Sequence, residues 1–260
     1  MKSMVKNKYE LDYKKLLREA IDNGVQRDDR TSVGCYSIFS KDLRVDLSKE
    51  FPLITGRKMF QKTFKTEFEW LINGETNIKR LKDAGIKIWD SWADENGDLG
   101  PVYGHQLRNF NSQGIDQLNN VISQITKNPD SRRHVISLWN PCQIDEMRLP
   151  PCYLYFQFFV EKDRLNMFAL QRSGDLLLGI PYDVALFSQL LLYVASSTGY
   201  NPGILDLKIV DAHVYSNQVE AVEYYLNLPI YDLPTYSYLG GELEINNYVH
   251  GPVVKAQVAV

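Results

Sequence analysis

The chain has 260 residues, with a hydrophobic share of 44%, 12% aromatics and a net charge of -3, enough apolar material for one large domain with its own core. That charge gives no basic field for a nucleic-acid backbone, and no stretch approaches the roughly 18 consecutive apolar residues of a membrane helix. The start, Met1-Lys-Ser-Met-Val-Lys-Asn-Lys8, lacks the apolar run of a signal peptide, so the expectation is a cytoplasmic protein with neither membrane nor nucleic acid as partner.

Tyr13, Leu16, Leu17, Ala20 and Ile21 share one helical face before Asn23-Gly24, which predicts a helix over residues 10–23. Gln26 to Gly34 reads as a polar loop. Cys35 to Leu47, with a Lys41-Asp42 turn and alternating Leu43, Val45 and Leu47, predicts a hairpin. A second helix is expected over about 60–73, with Glu67 on the face of Phe64, Phe68 and Leu71, and a short third one ending near Gly85. The loop Ile88 to Gly104 is rich in aromatics and glycine, a composition more often functional than filler.

Ile115, Leu118, Ile122 and Ile125 mark a helix that Asn128-Pro129 ends, and His134 to Trp139 reads as a strand. Two more strands, Tyr153 to Val160 and Leu165 to Gln171, flank the motif residues below. Val184 to Ser197 is apolar nearly all round, as in a buried helix. Leu205, Leu207 and Ile209 alternate as a strand leading to His213 and Tyr215; a helix to about Leu226 and a strand over Val253 to Val260 close the chain. With no repeat or linker, residues 1–260 read as one α+β domain.

Cys35, Cys142 and Cys152 are odd in number and lack CxxC spacing, so neither a disulfide framework nor a metal site is expected. Taken alone, Cys152 after Pro150-Pro151 is more often a small buried hydrophobe than a nucleophile. An activated thiol needs a nearby cation, and Arg172, one strand away, can supply it. Arg30, Arg132, Arg133, Arg172 and Ser173 are candidates for a phosphate site, because the planar guanidinium suits phosphate oxygens bidentately. Glu67 among apolar neighbours is a candidate for a carboxyl with a raised pKa, suited to proton relay. His213 and Tyr215 alternate on one strand face, where two polar groups can bond a sugar hydroxyl.

In combination these residues resemble the thymidylate synthase family. The signature is Pro151-Cys152, then Gln171-Arg172-Ser173-Gly174-Asp175, then Gly179-Ile-Pro-Tyr-Asp183, with Trp89-Asp-Ser-Trp-Ala-Asp-Glu-Asn-Gly-Asp-Leu-Gly-Pro-Val-Tyr103-Gly upstream. The resemblance implies a mixed twisted sheet with flanking helices, packed sheet to sheet in a homodimer. It implies a pyrimidine deoxynucleoside monophosphate as substrate and 5,10-methylenetetrahydrofolate as cosubstrate. By the same resemblance Cys152 adds to C6 of the base, Glu67 and Tyr103 serve proton transfer, and Arg30, Gln171, Arg172, Ser173, Asp175, His213 and Tyr215 bind the nucleotide. Arg132 and Arg133 come from the partner subunit. Arg57, Trp89, Asp175 and Gly179 are expected at the folate.

The chain departs from the family pattern at Asp183, where the synthases carry Asn. An Asn amide answers both N3-H and O4 of uracil, whereas cytosine reverses that edge. A protonated carboxyl matches the reversal, its carbonyl oxygen accepting from N4-H and its hydroxyl donating to N3. That proton also offsets the charge that develops when a thiolate adds at C6. Tyr153, where many synthases have His, is a second departure near the base; Gly174, Arg57 and Gln257 also differ. The expectation is one-carbon transfer to C5 of dCMP giving 5-hydroxymethyl-dCMP. The alternatives are methylation of dCMP, an ordinary thymidylate synthase acting on dUMP, and a catalytically silent nucleotide-binding protein.

Overall fold

A computed structural model describes residues 7–28 and 32–258. Six strands form a mixed sheet in the order β1-β2-β6-β5-β4-β3: β1 (Val25–Arg27), β2 (Cys35–Asp46), β3 (Val135–Ser137), β4 (Tyr153–Glu161), β5 (Arg164–Asp175) and β6 (Asn201–Tyr215). All pairings are antiparallel except β5 with β6. A parallel pair needs a crossover, and here it is the helix α6 (Ile180–Thr198). Pro181 opens α6 where a missing N–H costs nothing, and Gly199 closes it at φ 77°. Between them Val184, Phe187, Leu190, Leu191 and Val194 are fully or almost fully buried, so α6 is the spine of the core.

Around it pack α1 (Lys8–Asn23), α2 (Gln61–Ile72), the short α3 (Lys79–Asp83) and α4 (Tyr103–Arg108), α5 (Gln117–Lys127) and α7 (Val219–Leu226). Asn7 caps α1 by accepting from the Glu10 amide at 2.9 Å. The Glu10 carboxylate, fully buried, accepts from the amides of Thr55 and Gly56 at 2.7 Å each, from Tyr225 Oη at 2.6 Å and from Asn7 Nδ2 at 2.9 Å. One carboxylate thus pins the segment before α2 to α1 and α7, which fixes where α2 begins. Among the described residues no helix is long and apolar enough to cross a membrane.

The expected hairpin over Cys35 to Leu47 is one continuous strand instead. Ser40, at φ 58°, absorbs a change of phase: Leu43 and Val45 face the core on one side of it, Ile38 on the other. β6 makes the same step at Val210, from Leu205, Leu207 and Ile209 to Ala212 and Val214. β5 makes it near Arg172, from Met167, Ala169 and Gln171 to Gly174. Phe39 and Ser173 both pair with Asp211, and Lys41 and Gln171 both pair with Ile209, so the three steps lie side by side and the register survives. A break in alternation that reads locally as a turn is here a bend of the sheet shared by three strands.

Three further differences concern edges and ends. Val25–Arg27, which overlaps the start of the expected polar loop, pairs as edge strand β1. A hairpin of β7 (Thr235–Leu239) and β8 (Glu242–Asn246), turning at Gly240-Gly241, forms where no strand was expected. The strand expected over Val253 to Val260 is absent: residues 251–258 run without regular structure, and 259–260 lie outside the described residues.

Candidate active site

The site forms where β4, β5 and the start of α6 meet α2 and α4. Cys152 precedes β4, and Arg172 lies opposite it on β5, its amide donating to the Cys152 carbonyl at 2.8 Å. The guanidinium is locked by bonds to the carbonyls of Pro151 (Nε, 2.9 Å) and Pro150 (Nη2, 2.9 Å), which leaves Nη2 3.9 Å from Cys152 Sγ. Pro150 and Pro151 thus hold, through their carbonyls, the cation that favours a thiolate. Trp139 backs the guanidinium, its ring centre 6.0 Å from Cζ. Tyr103, at the first position of α4, accepts from the Cys152 amide at 2.8 Å, fixing the nucleophile's backbone from the other side. Burial raises the Tyr103 hydroxyl well above its usual pKa, with Cys152 adding to the rise.

Helical spacing puts Glu67 beside Phe64, Phe68 and Leu71 on the inward face of α2, where Trp89 Nε1 donates to Oε1 at 2.9 Å. Burial lifts its carboxyl to about 7; the Trp89 bond works against the rise and the nearby Asp183 adds to it. Asp183 lies in the first turn of α6, and Gln171 Nε2 of β5 donates to its Oδ2 at 2.8 Å. Burial again lifts this carboxyl to about 7, opposed by the Gln171 bond and assisted by Asp175. Both carboxyls are ringed by protein, yet each residue keeps part of its surface, as groups lining an open cleft do. Gln171 itself is fully buried, and its Oε1 has no partner among the described residues.

Asp175 ends β5 opposite His213. Its Oδ1 accepts from the amides of Leu177 and Leu178 at 2.9 and 3.0 Å, and its Oδ2 from Gln218 Nε2 at 3.0 Å. Gln218 also donates to the Gln257 carbonyl at 3.2 Å, tying the C-terminal segment to the same carboxylate. Gly179 follows as the cap of α6, and its carbonyl accepts from the Asp183 amide at 3.0 Å. A side chain there would press the Asp175 carbonyl at 3.2 Å. His213 and Tyr215 stand edge to face at 5.0 Å on β6. His213 and Ser37 hold the Asp211 carboxyl below the usual range.

The structure therefore brings Cys152, Glu67, Tyr103, Asp183, Gln171 and Arg172 together, with Asp175, Ser173, Gly179, His213 and Tyr215 along the adjoining strand ends. Trp89 joins them with only 8% of its surface accessible, tilted against Trp70 and edge to face with Trp92 and Tyr103. Arg57 is set apart. It is 4% accessible and donates to the Leu177 carbonyl at 2.7 Å, behind the turn that carries Asp175. Arg132 and Arg133 are exposed in the loop before β3, and Arg30 lies outside the described residues. Sequence reasoning missed Gln218, Trp139 and Asp211. Each acts by supporting another site residue across the fold, and none carries a local pattern.

The arrangement suits covalent addition to an electron-poor ring: a cation-assisted thiol, two carboxyls with pKa values near neutrality and a tyrosine converge on one cleft. A thymidylate synthase family model matches residues 11–260. The chain belongs to the thymidylate synthase family, whose members use methylenetetrahydrofolate to transfer a one-carbon unit to C5 of a pyrimidine nucleotide.

Proposed function

We propose that this protein hydroxymethylates dCMP at C5. The observation that carries the reading is the Asp183 carboxyl, buried, raised to about 7 and bonded by Gln171 at Oδ2. Because Oδ2 already accepts from Gln171, the proton is favoured on Oδ1. Oδ1–H then donates to cytosine N3, and Oδ2 keeps a lone pair for the N4 amino group. Uracil presents N3–H and O4 instead, so it meets a donor with a donor and an acceptor with an acceptor.

The remaining roles follow from position. Cys152, its thiolate favoured by Arg172, adds to C6, and the proton on Asp183 offsets the charge that reaches N3. Glu67 and Tyr103 remove the C5 proton. Arg172 and Ser173, with Arg30 and the Arg132 and Arg133 of a second subunit, hold the phosphate. His213 and Tyr215 bind the sugar. The outer face of the sheet supports a homodimer: Phe39, Phe159, Phe168 and Val210 there are 79%, 61%, 39% and 37% accessible in the single chain.

The cleft also fits a folate. Trp89 and Trp92 offer an aromatic wall, and Asp175, oriented by two amides and Gln218, is an acceptor for an NH-rich ring beside the Gly179 backbone. Arg57 supports the Leu177 end of that turn. When bound, methylenetetrahydrofolate supplies the electrophilic carbon. The test is incubation of the protein with methylenetetrahydrofolate and either dCMP or dUMP, followed by nucleotide mass and folate oxidation state. A dCMP product heavier by a hydroxymethyl group, with tetrahydrofolate released, is the expected result. A methyl product with dihydrofolate, or turnover of dUMP alone, refutes the reading.

A further inference from the structure

Tyr153, the residue after the nucleophile, has no part in the roles assigned so far. The β4–β5 register shifts between Tyr153 and Tyr155, and this irregularity turns Tyr153 to the core side, where Phe156 and Phe158 also lie. Its ring is clamped there. Tyr103 lies 4.2 Å away, tilted by 31°, Phe187 meets it edge-on at 5.0 Å, and Phe156 is at 5.9 Å.

With 5% of its surface accessible, the ring has one position. Among the described residues the hydroxyl bonds to no protein group, yet it is not sealed in as the hydroxyls of Tyr9 and Tyr238 are. Burial raises its pKa well above the usual value, and Tyr103, Glu67, Asp183 and Cys152 all add to the rise. A neutral hydroxyl on a rigid stem therefore stands among the four groups that carry the chemistry, with its donor and acceptor capacity unspent.

We propose that the Tyr153 hydroxyl holds the water that adds to the exocyclic methylene of the nucleotide, and so directs the reaction to a hydroxymethyl product. It rests on the dCMP hydroxymethylation proposed above. In the step, the water oxygen bonds to the methylene carbon and its proton passes to the Glu67 carboxylate, which has already released the C5 proton to solvent. The methylene π pair moves to C5 and then forms the C5–C6 double bond as the C6–S bond breaks. Sulfur leaves with its electron pair as the Cys152 thiolate, and nothing is oxidised or reduced. By accepting a hydrogen bond from the water's other O–H, Tyr153 Oη aims the water's lone pair at carbon.

Tyr153→Phe removes the hydroxyl and keeps the ring. Tritium release from dCMP labelled at C5 reads every step up to the methylene, and hydroxymethyl-dCMP reads the water step. In a single turnover with enzyme in excess, the expected result in Y153F is tritium release within about twofold of the parent, with hydroxymethyl product reduced on the order of tenfold or more. The missing product is then found as nucleotide retained on Cys152 by intact-protein mass, or as methyl-dCMP. An unchanged ratio of product to tritium release overturns the assignment of Tyr153 while the parent enzyme still makes hydroxymethyl-dCMP. A parent enzyme that makes none overturns the underlying reaction and this inference together. Should Y153F fail to fold, Y153M fills the space without a hydroxyl and carries the same readout.

Discussion

Gln171 Nε2 on β5 donates to Asp183 Oδ2 on α6 at 2.8 Å, so the carboxyl proposed to read the base is held by a side chain of the adjoining strand. Asp183→Asn keeps the size and replaces the carboxyl with an amide. The variant is expected to reverse base preference: activity on dUMP rises, and the ratio of kcat/KM for dCMP to that for dUMP falls by about 3 kcal/mol, on the order of 10²-fold, as buried edges change from matched to unmatched. Parallel assays with both nucleotides check this. An unaltered ratio shows that selectivity lies elsewhere.

The same carboxyl sets a pH dependence, with Glu67 beside it. Both have folded-state pKa values raised to about 7 by burial, above their values in the unfolded chain. The folded protein therefore binds these protons more tightly than the unfolded one. Their cost to stability is absent below about pH 4, grows as pH rises, and is complete above about pH 7. Asp183→Asn and Glu67→Gln remove the ionisation, so the stability advantage of each variant over the parent, seen as a rise in Tm, should grow between about pH 5 and pH 8, by on the order of 1–2 kcal/mol per group. Activity on dCMP should fall over the upper half of that range, as Asp183 loses the proton that meets N3. A Tm difference independent of pH contradicts both raised values.

Most of the fold was legible because its signals are local. The apolar run of α6, the Asn23-Gly24 stop of α1 and the face of α2 that carries Glu67 each follow from residue spacing, and the structure places them within a few residues of expectation. The site was legible as a set of motifs, since Cys152, Arg172 and Asp183 fall at strand and helix ends. What sequence did not reveal depends on partners distant in the chain. The step at Ser40 reads as a turn until β6 and β5 are seen to make the same step beside it. Arg57, by resemblance a cation at the folate, is seen to be buried only once Leu177, 120 positions on, is found to take its Nη2.

Packing requires a glycine at position 174. A Cβ there would meet Ile180 Cδ1 at 2.4 Å and Ile209 Cγ2 at 3.3 Å, so the first residue of α6 fills the space a side chain would take. Gly174→Ala is expected to push the start of α6 away from β5, costing about 1–3 kcal/mol and lengthening the Gln171 to Asp183 bond. Ile180→Val, which removes Cδ1, should recover part of that loss in the double variant although it destabilises the parent. Urea denaturation of the four proteins measures the coupling, and purely additive effects exclude it.

If subunits share the phosphate site, two inactive variants should complement each other. Arg132 and Arg133 are exposed and border β3 at the edge of the sheet, whereas Arg172 is held beside Cys152. If a second copy packs on the outer sheet face, its arginines enter the neighbour's cleft. Cys152→Ala and Arg133→Ala should then each be nearly inactive alone. Mixed under conditions that exchange subunits, they form heterodimers with one cleft lacking both groups and one lacking neither, because the two defects segregate to the same site. Recovered activity should approach roughly a quarter of the parent's, from half the dimers carrying one intact site each. Were Arg133 to serve its own subunit's cleft, every cleft in the mixture would lack one group, and mixing would restore nothing.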